Sequence, residues 1–124
     1  MTPEFIDHLV LIVKDIKKTE KFYRSFLGKP IQLDSEQVAY QIGMTKIFFG
    51  LPYISFKQSN KDRGGLNHLA FGVRTNNQLK DFQKLLDDSN IANSGIKIDK
   101  YGSKRFIWFD DPNGIRLEFY HRPK

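Results

Sequence analysis

His8 and His68 are the residues whose chemistry stands out first. Displacing the chain by 60 residues lays Ile6-Asp7-His8-Leu9 on Leu66-Asn67-His68-Leu69, Val13 on Val73, Lys14 on Arg74 and Phe22 on Phe82. A single histidine inside an apolar strand is most often a hydrogen-bonded core residue. The same histidine at the same place in two matched strands points instead to a shared task. Neutral imidazole together with a carboxylate suits Mn, Fe, Ni or Zn. The carboxylate that fits is Glu118, in Ile115-Arg116-Leu117-Glu118-Phe119-Tyr120, where strand alternation puts Arg116, Glu118 and Tyr120 on one face. An unpaired buried glutamate is costly. A metal or Arg116 would relieve that cost; alternatively Glu118 faces solvent, paired with Arg116 or Lys46. Arg116 itself has two readings: a fork for an anionic substrate group, or an ion-pair partner that holds the sheet.

The elements that must position these residues repeat too. Phe5 to Val13 reads as a buried strand. Asp15 caps a helix running to about Leu27, with Gly28 as its stop and the pairs Phe22/Phe26 and Tyr23/Leu27 each on one face. Strands follow near 31–33, 37–42 and 46–49. The second half restarts with a strand at Leu66 to Val73, then a helix from about Asn77 to Leu86 with Leu79, Phe82 and Leu86 inward. Strands near 95–100, 105–109 and 115–121 complete it, the last two joined by the turn Asp111-Pro112-Asn113-Gly114. Each half is β-α-β-β-β, an α+β arrangement in tandem. The expected division is one domain, 1–124, made of modules 1–50 and 66–124 joined by a polar loop, 51–65. That loop carries Lys57, Lys61 and Arg63 beside Gly64-Gly65 and could close over an anion.

Composition narrows the function classes. With 124 residues the chain can bury a core of its own, and with no cysteine it has no disulfide, thiolate metal site or cysteine nucleophile. The net charge of +6 and pI near 9.6 favour anions, but the basic residues are scattered among acids. A nucleic-acid interface is not expected, since neither a recognition helix nor an interleaved aromatic–basic stripe is present. No apolar stretch is long enough for a membrane span and no signal peptide is evident, so a cytoplasmic protein is expected. His121 reads as a surface residue. Trp108, Tyr40, Tyr120 and Arg116 are candidates to line a cavity.

Three segments together carry a resemblance. Ile6-Asp7-His8-Leu9 with Phe22-Tyr23 and Leu27-Gly28, then Asn67-His68-Leu69-Ala70-Phe71, then Phe109-Asp110-Asp111-Pro112-Asn113-Gly114 with Arg116-Leu117-Glu118, resemble the vicinal oxygen chelate superfamily. This is the group of glyoxalases, bleomycin-resistance proteins, extradiol dioxygenases and fosfomycin-resistance enzymes. The resemblance spans the whole chain. It implies two βαβββ modules forming a U-shaped mixed sheet around a metal site, with ligands on the first and fourth strands of each module. Carried over, the ligands are His8, His68 and Glu118. The remaining position falls on Phe48, with Gly50 nearby, and neither can bind a metal. A three-ligand set departs from the four of lactoylglutathione lyases and resembles dioxygenases and fosfomycin-resistance enzymes. The chain ends soon after its last strand, where the fosfomycin-resistance enzymes usually continue, and Ile115 replaces a polar residue often found after their turn glycine.

The resemblance thus implies a metal-dependent enzyme, a dioxygenase or lyase, acting on a small oxygen-rich substrate. Glu118, Tyr120 and Arg116 are its catalytic candidates, a divalent metal (Fe, Mn, Ni or Zn) its cofactor and a homodimer its assembly. The alternative is a metal-free drug-binding protein of the bleomycin-resistance type; such proteins bind basic drugs in acidic grooves, against the charge of this chain.

Overall fold

A computed structural model describes residues 1–52 and 64–124. The chain divides into two compact units, Met1–Lys57 and Gln58–Lys124. Lys57, Lys61 and Arg63, expected in a closing loop, lie outside the described residues.

The first unit runs β1 (His8–Ile12), α1 (Ile16–Leu27), β2 (Gln32–Leu33), β3 (Gln37–Ile42) and β4 (Thr45–Gly50). Its strands form one mixed sheet in the order β1-β4-β3-β2, with β1 parallel to β4 and the other pairs antiparallel. Asp15 caps α1, its carboxylate accepting from the Lys18 N–H, and Gly28 ends the helix at a positive φ of 77° that a side chain would strain. Tyr23 on α1 stacks on Phe49 of β4 with ring centroids 4.2 Å apart, so the helix closes one face of the sheet over Val38, Tyr40, Ile47 and Phe49.

The second unit repeats the plan: β5 (His68–Val73), α2 (Asn76–Asp88), β6 (Lys97–Ile98), β7 (Arg105–Asp110) and β8 (Arg116–His121), in the order β5-β8-β7-β6. Here Thr75 and Gln78 form a full capping box on α2. Phe82 lies flat on Phe119 at 4.1 Å, and Leu79, Leu86, Ile107, Phe109 and Leu117 complete the core. The tight turn before β8 is built by Asp111, whose carboxylate accepts from the N–H groups of Asn113 and Ile115.

Two expectations change. The N-terminal strand is shorter than Phe5 to Val13 and is not buried on both sides. It begins at His8, and its residues alternate, with His8, Val10 and Ile12 exposed and Leu9 and Leu11 partly covered. Continuous apolar sequence was read as burial on two faces, but the α1 layer covers only one. For the mixed sheet that the resemblance implies, the strands form two four-stranded mixed sheets, one in each unit.

Candidate functional site

The order of strands explains why sequence-distant residues meet. In each unit the first strand lies parallel to the last, so β5 and β8 are neighbours although α2, β6 and β7 separate them in the chain. In the register Ala70 pairs with Glu118 and His68 with Arg116. Odd-numbered residues of β5 and β8 (Phe71, Val73, Leu117, Phe119) pack beneath α2, leaving His68, Ala70, Gly72, Glu118 and Tyr120 on the open face.

On that face His68 Nε2 stands 3.7 Å from Glu118 Oε2, with Glu118 mostly covered and His68 about two-fifths exposed. The separation is too long for a hydrogen bond. The other ring nitrogen is taken: His68 Nδ1 bonds the Asn67 side-chain oxygen at 2.8 Å. An amide oxygen only accepts, so Nδ1 carries the hydrogen; in the neutral ring the lone pair is then on Nε2, the nitrogen nearer Glu118. The first unit repeats the device with a charge. His8 Nδ1 lies 2.8 Å from Asp7 Oδ2, which likewise leaves Nε2 as the free lone pair. Two donors about 2.1 Å from one ion sit about 3–3.4 Å apart, so the His68–Glu118 pair fits a divalent cation after sub-ångström movement. Among the described residues no group of three His, Cys, Asp or Glu is arranged to hold a metal ion. The expected trio therefore appears as a pair, His68 and Glu118, with His8 on β1 of the first unit.

His68 and Glu118 line one end of an open cavity of about 920 Å³, whose described lining residues belong to the second unit. Its floor continues along β5 through Ala70 and Gly72. A methyl group added at Gly72 would meet nothing within 4 Å, so the glycine leaves open space there. Tyr120 projects from β8 and its hydroxyl donates to Asp99 Oδ2 at 2.9 Å. That bond, more than burial, holds the phenol above its ordinary range, while the Tyr101 N–H and then Tyr120 hold the Asp99 carboxyl below its own. At neutral pH Tyr120 is thus a neutral hydrogen-bond donor rather than a base.

The remaining candidates sort differently. Arg116 does not pair with Glu118. Its Nε donates to Asp110 Oδ1 at 2.6 Å, and its guanidinium lies 3.9 Å over the Trp108 ring. The reading in which Arg116 pairs with an acid and holds the sheet matches this geometry, because Asp110 is its direct partner across β7 and β8. Neither Arg116 nor Trp108 lines the cavity. Tyr40 is in the core of the first unit, its hydroxyl donating to the Glu20 carbonyl, and His121 Nε2 lies 3.2 Å from the Arg74 carbonyl. Phe48, at the position corresponding to Glu118, presents its ring edge-on to His8 with centroids 5.9 Å apart.

Three cations that sequence reasoning passed over line the other end of the cavity: Arg74, Lys100 and Arg122. Arg74 and Arg122 were legible, since the alternation through His68, Ala70, Gly72 and through Glu118, Tyr120 continues onto them. Lys100 and Asp99 come from the turn after β6 and carry no such signal.

A family model described as Glyoxalase/Bleomycin resistance protein/Dioxygenase superfamily matches residues 5–119. The chain belongs to this superfamily. It is similar to YaeR of Escherichia coli K12, at 27% identity over 94% of this chain and 95% of that protein. It is also similar to the metallothiol transferase FosB of Staphylococcus saprophyticus, at 26% identity over 93% of this chain and 75% of that one. In fold it matches the crystal structure of a glyoxalase family protein from Enterococcus faecalis, with a TM-score of 0.77 at 20% identity, covering 94% of this chain and 97% of the other. Among the described residues no helix is long and apolar enough to cross a membrane.

Proposed function

We propose that the chain is a metal-dependent enzyme that holds a small oxygen-rich substrate against a divalent ion bound by His68, Glu118 and His8. The observation that carries this reading is the His68 Nε2–Glu118 Oε2 pair, 3.7 Å apart at the end of a substrate-sized cavity. The orientation of both histidines by the residue before them supports it. So does the similarity to a protein named a metallothiol transferase. A divalent ion of the Mn, Fe, Ni or Zn type supplies Lewis-acid polarisation of a substrate oxygen when bound.

The chain's own residues do the rest. Asn67 fixes the His68 tautomer, and Glu118 provides the anionic donor. Ala70 and Gly72 leave the floor clear for substrate. Tyr120, kept neutral by Asp99, offers a hydroxyl rather than taking a proton. Arg116 is a positioning residue, because its fork is used by Asp110 in the strand beside Glu118. A dioxygenase, a lyase and a thiol transferase are the reaction types that such a site can serve. A metal-free site for a basic drug is less supported, because Arg74, Lys100 and Arg122 line the cavity.

Calorimetric titration of the purified protein with Mn²⁺ and Zn²⁺ tests the reading. One ion per site is expected, with affinity lowered at least about 100-fold in His68→Ala and in Glu118→Ala while circular dichroism stays unchanged. Unaltered metal binding in both variants would remove the pair from the ligand set. The same preparation tests the homodimer by sedimentation at micromolar concentration; a metal-retaining monomer would contradict it.

A further inference from the structure

We infer that the end of the cavity away from His68 and Glu118 is an oxyanion subsite formed by Arg74 and Arg122 with Lys100, so that the substrate is elongated and carries a terminal carboxylate or phosphate-type group. The bridging part rests on the metal-binding reading of His68 and Glu118; the subsite itself does not.

Arg74 and Arg122 are cross-strand neighbours, because pairing continues past β8 with the Arg122 N–H donating to the Val73 carbonyl at 2.8 Å. Neither guanidinium is paired with a carboxylate among the described residues. Among the described residues Arg74, Lys100 and Arg122 have no acidic group at ion-pair distance, whereas Arg116 has Asp110. Arg74 spends one N–H on the Arg122 carbonyl at 3.2 Å and keeps the others. Arg122 lies 5.3 Å over the Tyr120 ring, a contact that consumes none of its N–H groups. Its N–H groups lie in the guanidinium plane, free to donate in parallel to two oxygens of one anion.

Asp99, whose oxygens accept from the Tyr101 N–H and the Tyr120 hydroxyl, keeps its negative charge and offsets part of this field. Among the described residues three cations still outnumber one carboxylate at this end of the cavity. Glu118 to Arg122 is four strand residues, about 13 Å between Cα atoms. The intervening floor is Ala70 and Gly72, the two small residues of β5, and a chain of light atoms can lie along it.

Inorganic phosphate and acetate are the probes for the subsite, followed by two-dimensional NMR of the arginine Nε–H groups in the full-length protein. Saturable shifts of Arg74 and Arg122 are expected with at least one anion. Affinity should fall at least about tenfold in Arg74→Gln/Arg122→Gln and remain unchanged in Arg24→Gln. Wild-type anion affinity in the double variant would overturn the subsite. Metal titration in parallel separates the two readings: anion binding without metal binding sinks the proposed chemistry and leaves the subsite standing.

For the bridge, the metal-loaded protein is titrated with alkyl hydroxamates bearing a terminal phosphonate and increasing numbers of methylenes. An optimum length that binds at least about tenfold better than the same hydroxamate without phosphonate is expected, lost in Arg122→Gln and in Gly72→Leu. No gain at any length would overturn the bridging substrate.

Discussion

Val10 and Ala70 occupy the same place in their units. Each lies two residues past the histidine of a first strand, and each pairs with a residue of the last strand, Phe48 in one unit and Glu118 in the other. The backbone register is the same, and both histidines have Nδ1 bonded to the side chain just before them. What differs is side-chain size and charge on one sheet face. The first unit puts Val10, Ile12 and Phe48 there, and the second has Ala70, Gly72 and Glu118. Branched and aromatic groups stand in the first unit where the second has two small residues and a carboxylate. One backbone register therefore carries two different faces, and a few side chains decide whether the meeting of first and fourth strands presents a carboxylate beside a histidine or an aromatic ring beside one.

The largest effect should come from the cores, where the units are alike. Phe49 and Phe119 are fully buried at corresponding positions under α1 and α2. Replacing either by alanine should cost about 3–5 kcal/mol in urea unfolding. A cost confined to one variant would show that one unit alone contributes to the measured stability.

Next is the orienting residue, where the units differ in charge. Asn67→Ala should weaken metal binding about 10–100-fold by releasing the His68 ring. If His8 is a ligand, Asp7→Ala should weaken it in the same range. Calorimetry that detects the first loss and not the second would take His8 out of the ligand set.

A third contrast lies in the two phenols. Burial, and then the Glu20 carboxylate, push Tyr40 up to about 12 from an ordinary 10.0. Its contribution to stability is whole below pH 10 and is lost as pH rises toward 12, because the unfolded phenol ionises first. Tyr40→Phe should remove part of that alkaline loss in urea unfolding measured across this range. Tyr120→Phe should destabilise at neutral pH and converge with the wild type as pH falls through the acid range. Losing its hydrogen bond raises Asp99 back toward the ordinary 3.8, removing stability that is present above that value and lost as pH falls through the lowered one. Identical profiles for the two variants would erase the distinction between a core phenol and a cavity phenol.

The smallest effect concerns the caps. Thr75→Ala, which dismantles a reciprocal box, and Asp15→Ala, which removes a single bond, should each cost about 1 kcal/mol, with Thr75 the larger. Equal thermal shifts would mean that the second arm of the box contributes nothing.

The repeat, the β-α-β-β-β order and the Asp15 cap of α1 were legible because they depend on local pattern: alternation of period two, helical spacing, and polar groups that satisfy the first turn of a helix. His68 and Glu118 were legible as candidates through repetition and alternation. Their encounter was not, since it depends on β8 lying beside β5 after three other elements have intervened, and hydrogen-bonded strand order is not encoded in any short window. The exposed face of β1 was misread for a related reason: apolar sequence says which residues prefer cover, whereas the layer of α1 decides which receive it. The partner of Arg116 was likewise a tertiary decision. The sequence offers it Glu118 two residues away, yet β-strand spacing sets same-face neighbours about 7 Å apart, and Asp110, directly across on β7, is closer. Residue types thus determined by themselves what the protein could present, while strand order and register decided which groups meet.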